Sequence, residues 1–322
     1  MNRFIAVAFA LALLPLNAHA QSYPDRTITV VVPFAAGGPT DTVARLVAES
    51  MSKELGQQLI VENVGGAGGT LGAGRVAKAE PDGYTLLLHH LGQATSATLY
   101  RSLPYNPRED FAPIGLITDV PMTIVARADL EPTDGKSLVA YIKANGDKIS
   151  YGNAGIGSAS HLCGMLLMDA LKVQMTTIPY KGTGPAMTDL LGGQIDLMCD
   201  QTTNTSSHIK AGKIKAYAVT TSSRVPSLPD IPTTQEAGMP GVEVAVWHAL
   251  YAPKGTPPEA IDKLSAALKK ALKDPKVVER FAELGTEPVA EDRATPEVLG
   301  AFLQSEIERW KPIIEAAGVY AD

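Results

Sequence analysis

The chain has 322 residues, of which 45% are hydrophobic and 19% are charged. This composition excludes an intrinsically disordered chain, and the length suits two α/β domains better than one. The formal net charge of −6 excludes a general electrostatic attraction for nucleic acid or for anionic membranes.

The N-terminus has the pattern of a secretory signal peptide. A short basic start ending at Arg3 precedes the 13 apolar residues from Phe4 to Leu16, and Ala18-His19-Ala20 forms a small-x-small cleavage site. The alternative of a membrane anchor is disfavoured because the apolar run is too short to span a bilayer. We predict a signal peptide over residues 1–20, cleavage after Ala20, and a soluble periplasmic chain.

The next hundred residues alternate strand and helix patterns. The β-branched run at 27–33 predicts a buried strand, and a glycine-rich turn at 35–41 leads into a helix at 42–55. Further predicted strands lie at 59–63 and 85–89, with a glycine-rich loop at 65–74 that feeds a helix ending near residue 79. This alternation is typical of a parallel α/β sheet.

The pattern then repeats and ends in helices. The predicted strands lie at 123–127, 150–153, 175–180, 195–199, 215–221 and 242–252. The predicted helices lie at 138–145, 159–171, 185–192, 258–273, 275–284 and 296–317. Glu306 is expected on the exposed face of the last helix. The two similar halves predict two doubly wound α/β domains with a ligand cleft between them.

Three glycine-rich turns are placed where such folds bind ligands, at strand carboxyl ends. They span residues 34–41, 154–158 and 181–184, and each leads into a predicted helix. Glycine lets backbone N–H groups approach a ligand, and a helix N-terminus adds free N–H donors and partial positive charge. The turns therefore predict an anion site. Thr40 or Asp41 is the expected cap of the first helix, and Ser158 or Ser160 that of the second.

Patterns for other chemistries are missing or weak. The P-loop pattern is absent, and residues 72–77 fit GxGxxA without opening directly off a strand. Ser158 lies in GIGSA and not in a nucleophile elbow. His89 and His90 are strand neighbours, expected on opposite faces, which suits no metal site. We expect no enzyme activity, no metal and no cofactor.

The two cysteines and the lysine at the third turn leave alternatives open. Export permits a disulfide between Cys163 and Cys199, but both could equally be buried thiols. Lys181 could pair with a carboxylate or remain a solvated surface residue. Trp247 and Trp310 are expected to be packing residues.

Several ordered segments together resemble one family over nearly the whole mature chain. They are YPDRTITVVVPFAAGGPTDTVARLVAE (23–49), VENVGGAGGTLGAGRVAKAEPDGYTLLL (61–88), LPYNPREDFAPIGLI (103–117), HIKAGKIKAYAVTTSSR (208–224) and LPDIPTTQEAGMPG (228–241). The chain resembles the Bug family, the solute-binding components of tripartite tricarboxylate transporters.

The resemblance implies a type II periplasmic binding-protein fold that closes about a hinge. We expect domain 1 at 21–125 plus 245–322 and domain 2 at 126–244. It also implies a monomer that delivers a small carboxylate to two membrane subunits of a permease. Loops matching Phe34–Asp41 and Tyr180–Thr183 would hold one carboxylate through backbone N–H groups and water, and Gly155–His161 and Asp200 match other cleft positions.

Two segments depart from the commoner family pattern, at 89–93 and 197–204. These variants are similar to terephthalate-binding members, so an aromatic dicarboxylate such as terephthalate is the predicted ligand. The departure at Cys199 also favours the disulfide. The predicted ligand-binding residues are Phe34, Gly37, Gly38, Thr40, Asp41, His90, Gln93, Asn153, Ser158, His161, Lys181, Gly182, Thr183, Asp200, Gln201 and Thr202.

Three alternative functions follow from the same residues. The ligand could be an aliphatic di- or tricarboxylate, or the protein could present its ligand to a membrane regulator as a sensory module. An exported hydrolase is the third alternative, although it lacks a recognisable nucleophile–base pair.

Overall fold

A computed structural model describes residues 23–321. The predicted signal peptide at 1–20 lies outside the described residues. Within residues 23–321, none of the helices is long and apolar enough to cross a membrane.

The strands of the described chain form one mixed sheet in the order β2-β1-β3-β9-β4-β7-β5-β6, with β8 paired to β4. The strands are β1 (Ile28–Val32), β2 (Leu59–Asn63), β3 (Thr85–His90), β4 (Phe111–Arg127), β5 (Ser150–Asn153), β6 (Thr176–Pro179), β7 (Leu197–Gln201), β8 (Ile214–Val219) and β9 (Ala245–Pro253). The helices are α1 (Pro39–Leu55), α2 (Thr70–Ala77), α3 (Gly92–Leu99), α4 (Gly135–Asn145), α5 (Ala159–Leu171), α6 (Thr183–Leu191), α7 (Thr202–Lys210), α8 (Pro258–Ala271), α9 (Pro275–Glu283) and α10 (Pro296–Ala317). The predicted α/β class with two doubly wound halves is confirmed.

Two groups of parallel strands form the halves of the sheet. β1 pairs in parallel with β2 and β3, and β5 pairs in parallel with β6 and β7. β1 is buried throughout most of its length because helices cover both faces of the sheet, which explains its continuous apolar run.

The long strand β4 connects the two halves. Its residues Phe111–Pro121 pair with β9, and Met122–Arg127 pair with β7 and β8. The sequence predicted only residues 123–127 as strand, because Pro113, Gly115 and Pro121 interrupt the apolar pattern before them. Irregular register between Pro113 and Gly115 accommodates part of that interruption. The expected domain boundary at 125/126 falls within β4, and the domain division remains a prediction.

Two helices were missed by the sequence analysis, α3 and α7. Both are rich in Ser and Thr, which have poor helix propensity. Tertiary packing compensates: Ala94 and Leu99 of α3 are buried in the apolar core, and the hydroxyls of Thr205 and Ser206 bond to the carbonyls of Gln201 and Leu284.

The prediction that Glu306 lies on an exposed face is wrong. Glu306 is 5% exposed, and one of its carboxylate oxygens accepts hydrogen bonds from the indole N–H groups of Trp247 (2.9 Å) and Trp310 (3.2 Å). Both tryptophans are buried, as expected of packing residues. Their N–H groups need a buried acceptor, and this requirement draws the carboxylate inward.

A disulfide joins Cys163 of α5 to Cys199 of β7, with their Cα atoms 6.1 Å apart. Both residues are fully buried. Helix α5 begins at the cleft and strand β7 ends there, and the bond fixes their relative position.

Candidate functional site

A narrow cleft lies where the two halves of the sheet meet, at the carboxyl ends of β1, β5 and β7. It is narrow: only about 20 Å³ is left between its walls, room for about one water molecule. It is lined by Phe34, Gly38, Pro39, Thr40, His90, Ala154, Ser158, Ala159, Ser160, Thr183, Asp200 and Gln201. Residues from all three glycine-rich turns therefore meet at one place.

The first and third turns touch each other through their backbones. Ala35 N–H donates to the carbonyl of Lys181 at 3.0 Å. A Cβ placed on Gly182 would lie 2.9 Å from Ala35 N, and one on Gly184 would lie 2.8 Å from the carbonyl oxygen of Ala36. Only glycine permits this approach, so the two turns form the closed jaws of the cleft.

A second contact closes the opposite lip. The Tyr100 hydroxyl lies 2.6 Å from the carbonyl oxygen of Ala67 and 3.0 Å from that of Ile156. Thr95 also donates to the carbonyl of Gly157 at 3.2 Å. These bonds connect the segment before α5 to elements of the first half, so the cleft is bridged at both lips.

The first turn is held by Asp41. Helix α1 begins at Pro39 with Gly38 as its N-cap, so the prediction that Thr40 or Asp41 caps it is wrong. Instead Asp41 accepts the N–H of Gly37 at 3.0 Å and bonds to Arg45. Burial would raise the pKa of Asp41, but hydrogen bonds led by that from Arg45 outweigh burial and lower it. The ionised carboxylate therefore fixes the turn instead of facing the ligand.

Side chains of α5 and β5 hold the second turn. Ser158 caps α5 as predicted and accepts the N–H of His161 at 3.2 Å. Ser160 accepts Ala154 N–H at 2.9 Å, and Asn153 accepts Gly155 N–H at 2.9 Å. The third turn has no side-chain cap, since α6 begins at Thr183 with Gly182 as its N-cap.

Three helix N-termini thus converge on the cleft, those of α1, α5 and α6. The first N–H groups of a helix have no partner within it, and they carry partial positive charge. The lining residues of the described chain include no Lys or Arg. The arrangement can therefore hold an anion by oriented backbone donors, against the net negative charge of the protein.

An aromatic cluster forms another wall. The ring of Phe34 stacks on His90 with centroids 4.6 Å apart and meets His89 at 5.7 Å. The expectation that the two histidines point to opposite faces is wrong: their ring centroids are 5.0 Å apart. The strand ends there, and the His89 ring accepts the N–H of His90. His248 packs edge-on against His90 at 5.8 Å.

The three histidines are neutral donors or acceptors. Burial lowers the pKa of His89 and of His248 to about 3, and that of His90 well below its usual range. His90 Nδ1 accepts Gly92 N–H at 2.9 Å, so the proton of its neutral ring is on Nε2. Within residues 23–321, no group of three or more His, Cys, Asp or Glu side chains could hold a metal ion.

Asp200 is the one acidic side chain in the lining. It is 1% exposed, and its oxygens accept hydrogen bonds from Gln201 N–H and from the Asn204 amide. Burial raises the pKa of Asp200 to about 6, although these bonds oppose the rise. Beside it, the buried Oε1 of Gln201 has no hydrogen-bond partner within the described residues.

Half of the predicted site residues line the cleft, and the other half lie outside its lining. The predicted residues in the lining are Phe34, Gly38, Thr40, His90, Ser158, Thr183, Asp200 and Gln201. Those outside the lining are Gly37, Asp41, Gln93, Asn153, His161, Lys181, Gly182 and Thr202.

Several residues of the second group support the turns. His161 Nδ1 accepts Gly157 N–H at 3.4 Å, and Lys181 contributes its carbonyl while its side chain is exposed. Gln93 donates to the carbonyl of Pro107, and Thr202 donates to that of Gly285. These contacts hold the segments around the cleft in place.

The cleft lining also includes four residues that were not predicted as ligand contacts: Pro39, Ala154, Ala159 and Ser160. All lie within or beside the predicted turns, so proximity alone could have included them. His248 was also missed, and its Nε2 lies 3.3 Å from the Thr40 hydroxyl oxygen. No local pattern identifies it, because Thr40 is 208 residues away in the chain.

Known proteins with the same sequence pattern and fold are solute receptors. The family model described as "Tripartite tricarboxylate transporter family receptor" matches residues 43–319. An Agrobacterium vitis protein, "UPF0065 protein in the TAR-I ttuE-ttuC' intergenic region", is 59% identical over 98% of this chain and 92% of its own length.

Two solved structures agree with this assignment. The periplasmic binding protein BugD is 55% identical, with a TM-score of 0.91 over 92% of this chain and 99% of its own. MatC from Rhodopseudomonas palustris, solved with bound malate, is 45% identical, with a TM-score of 0.87 over 91% of this chain and 100% of its own. The chain therefore belongs to the tripartite tricarboxylate transporter receptor family, the Bug family of periplasmic solute-binding proteins.

Proposed function

We propose that this protein captures a small dicarboxylate in the cleft and delivers it, in the closed form, to two membrane subunits of a tripartite permease. The observation that carries the proposal is the convergence of three helix N-termini on a cleft whose described lining has no cationic side chain. Such a site suits one carboxylate held by backbone N–H donors.

The ligand proposal starts from the alternatives that the sequence left open. Terephthalate remains a prediction, motivated by the segments at 89–93 and 197–204. The malate bound by the 45% identical MatC supports the aliphatic alternative. We therefore place aliphatic four-carbon acids first and terephthalate second.

Closure would be a hinge motion of the expected domains, 21–125 plus 245–322 against 126–244. β4 and the chain entering β9 cross between them, and such connections absorb small rotations while each half keeps its core. The jaw contact between Ala35 and Lys181 would form only on closure. A monomer suffices, because one chain supplies every lining residue.

A thermal-shift screen tests the proposal. Malate, succinate, citrate and terephthalate would each be added to the mature protein, with dimethyl succinate as the uncharged control. A hundredfold excess over Kd stabilises the bound form by about 2.7 kcal/mol. We expect stabilisation by at least one diacid and none by the diester. No shift with any carboxylate would refute a carboxylate receptor.

Two further readouts separate the alternative functions. Uptake by cells that carry the permease, lost on deletion of this receptor, would support transport, whereas ligand-dependent capture of a membrane regulator with unchanged uptake would support a sensory module. Ester or amide turnover abolished by Ser158→Ala would support a hydrolase instead.

A further inference from the structure

The hydroxyl of Thr40 lies in the cleft lining beside the N–H groups of the first turn of α1. Thr40 is the second residue of that helix and is 2% exposed. Its oxygen has a buried neighbour on the other side, His248 Nε2, at 3.3 Å. The direction of this hydrogen bond decides whether Thr40 offers the ligand a proton or a lone pair.

The other nitrogen of the His248 ring settles that direction. Nδ1 lies 3.2 Å from the carbonyl oxygen of Val246, and a carbonyl can only accept. Nδ1 therefore carries the proton. His248 is completely buried, and burial holds its pKa near 3, so the ring is neutral and Nε2 has no proton. Nε2 must accept, and the Thr40 hydroxyl must donate to it.

This relay leaves the Thr40 oxygen with only lone pairs toward the cleft. A hydroxyl has a single proton, and in Thr40 that proton is engaged in the hydrogen bond to His248. The neighbouring Gln201 Oε1 adds a second acceptor, since it is buried and unpaired within residues 23–321. A plain diacid carries only acceptors when ionised, so it would leave these groups unsatisfied.

We propose that the relay Val246–His248–Thr40 selects a ligand with a hydrogen-bond donor, a hydroxyl or ammonium, on the carbon next to the carboxylate bound at α1. The inference rests on the proposed function and specifies its substrate class: 2-hydroxy or 2-amino dicarboxylates. Thr40 contacts the ligand, whereas His248 is a positioning residue that acts through Thr40. The placement follows from the sequence of α1, since the side chain of Thr40 adjoins the N–H groups that hold the carboxylate.

Calorimetric titration of the mature protein with L-malate, L-aspartate and succinate tests the relay. The three acids share one carbon skeleton and differ in the donor. We expect malate or aspartate to bind at least about tenfold more tightly than succinate, which corresponds to one well-formed buried hydrogen bond. The tighter of the two identifies the donor as hydroxyl or ammonium.

Matched variants separate the relay from general stability, because the readout is a ratio of affinities. The preference over succinate should fall below about twofold in Thr40→Val and in His248→Phe, which remove the hydroxyl and its acceptor. Thr40→Ser retains the hydroxyl and His248→Gln retains an acceptor, so both variants should keep most of the preference over succinate. His208→Gln repeats the exchange outside the cleft and should leave the ratio unchanged. If His248→Phe does not fold, the Thr40 pair decides.

Two results would overturn the inference in distinguishable ways. Equal affinity of the wild type for succinate and for both donor-bearing acids would reject the relay as a selector while leaving carboxylate capture intact. This is the result expected if a water molecule satisfies Thr40 with every ligand. Failure of all three acids and of the wider carboxylate screen would reject both proposals together.

Discussion

The buried carboxyl of Asp200 should make folding and binding depend on pH. Burial raises its pKa from 3.8 to about 6 in the folded protein. A difference of about 2 units corresponds to about 3 kcal/mol, at 1.36 kcal/mol per unit. Because the folded pKa is raised, this stability is fully present below pH 3.8 and is lost as pH rises through about 6.

The measurable part of this effect lies between pH 5 and 7. Over that range the contribution of Asp200 should fall by about 1 kcal/mol, since most of the loss precedes the folded pKa. Urea denaturation at pH 5 and pH 7 measures the change in the free energy of unfolding for the wild type and for Asp200→Asn. The difference between the two changes is the contribution of Asp200, because all other titrating groups are common to both proteins. The same pH dependence in both proteins would refute the raised pKa.

Ligand binding should amplify the effect. A dianion beside Asp200 raises its pKa further, so binding near pH 7 should take up a fraction of a proton. We expect affinity to fall by up to about tenfold per pH unit above 6 in the wild type, and to change little in Asp200→Asn. Calorimetry in buffers of different ionisation enthalpy measures the uptake directly. Binding without proton uptake in the wild type would contradict a ligand placed next to this carboxyl.

Three substitutions test the jaws, the disulfide and the buried carboxylate. Gly182→Ala should weaken ligand binding at least about tenfold without lowering the melting temperature of the unliganded protein, because the added Cβ obstructs only the closed jaws. Gly300→Ala is the control, because a Cβ at Gly300 would contact only Pro113, at 3.7 Å. Wild-type affinity of Gly182→Ala would argue against closure on this contact. Replacing Cys163 and Cys199 by Ala should cost about 4 kcal/mol in chemical denaturation, as expected for the 36-residue separation. Glu306→Leu should cost about 2–4 kcal/mol, since two buried indole N–H groups lose their acceptor; unchanged stability would show that they find water instead.

The fold could be predicted where the sequence has strong periodicity. The apolar run of β1 and the spaced apolar residues of α1 indicated their structure directly, since burial imposes those patterns. The helices α3 and α7 lack such a pattern, and their Ser and Thr residues are helical because of tertiary packing and hydrogen bonds. The first half of β4 was hidden by proline and glycine that its irregular pairing tolerates.

The location of the site could also be predicted, but not the direction of its side chains. Glycine-rich turns at strand ends identified the cleft, because parallel strands present their carboxyl ends together. Whether a residue faces the ligand depends on where its helix begins. α1 starts at Pro39 and not at Thr42, which turns Asp41 toward Gly37 and Thr40 toward His248. Pro39 itself indicates that start, because proline favours the first helical position, but no local pattern shows that Thr40 faces His248.

The architecture divides anchoring from selection. Backbone N–H groups at three helix starts can hold any carboxylate, so they do not discriminate between acids. Discrimination must come from side chains, and the proton of the Thr40 hydroxyl is directed by its buried partner His248. The disulfide contributes here, because Cys199 immediately precedes Asp200 and fastens the end of β7 to α5. A ligand therefore meets an anchor common to all carboxylates and side chains held by buried partners, and such preorganisation reduces the entropy lost on binding.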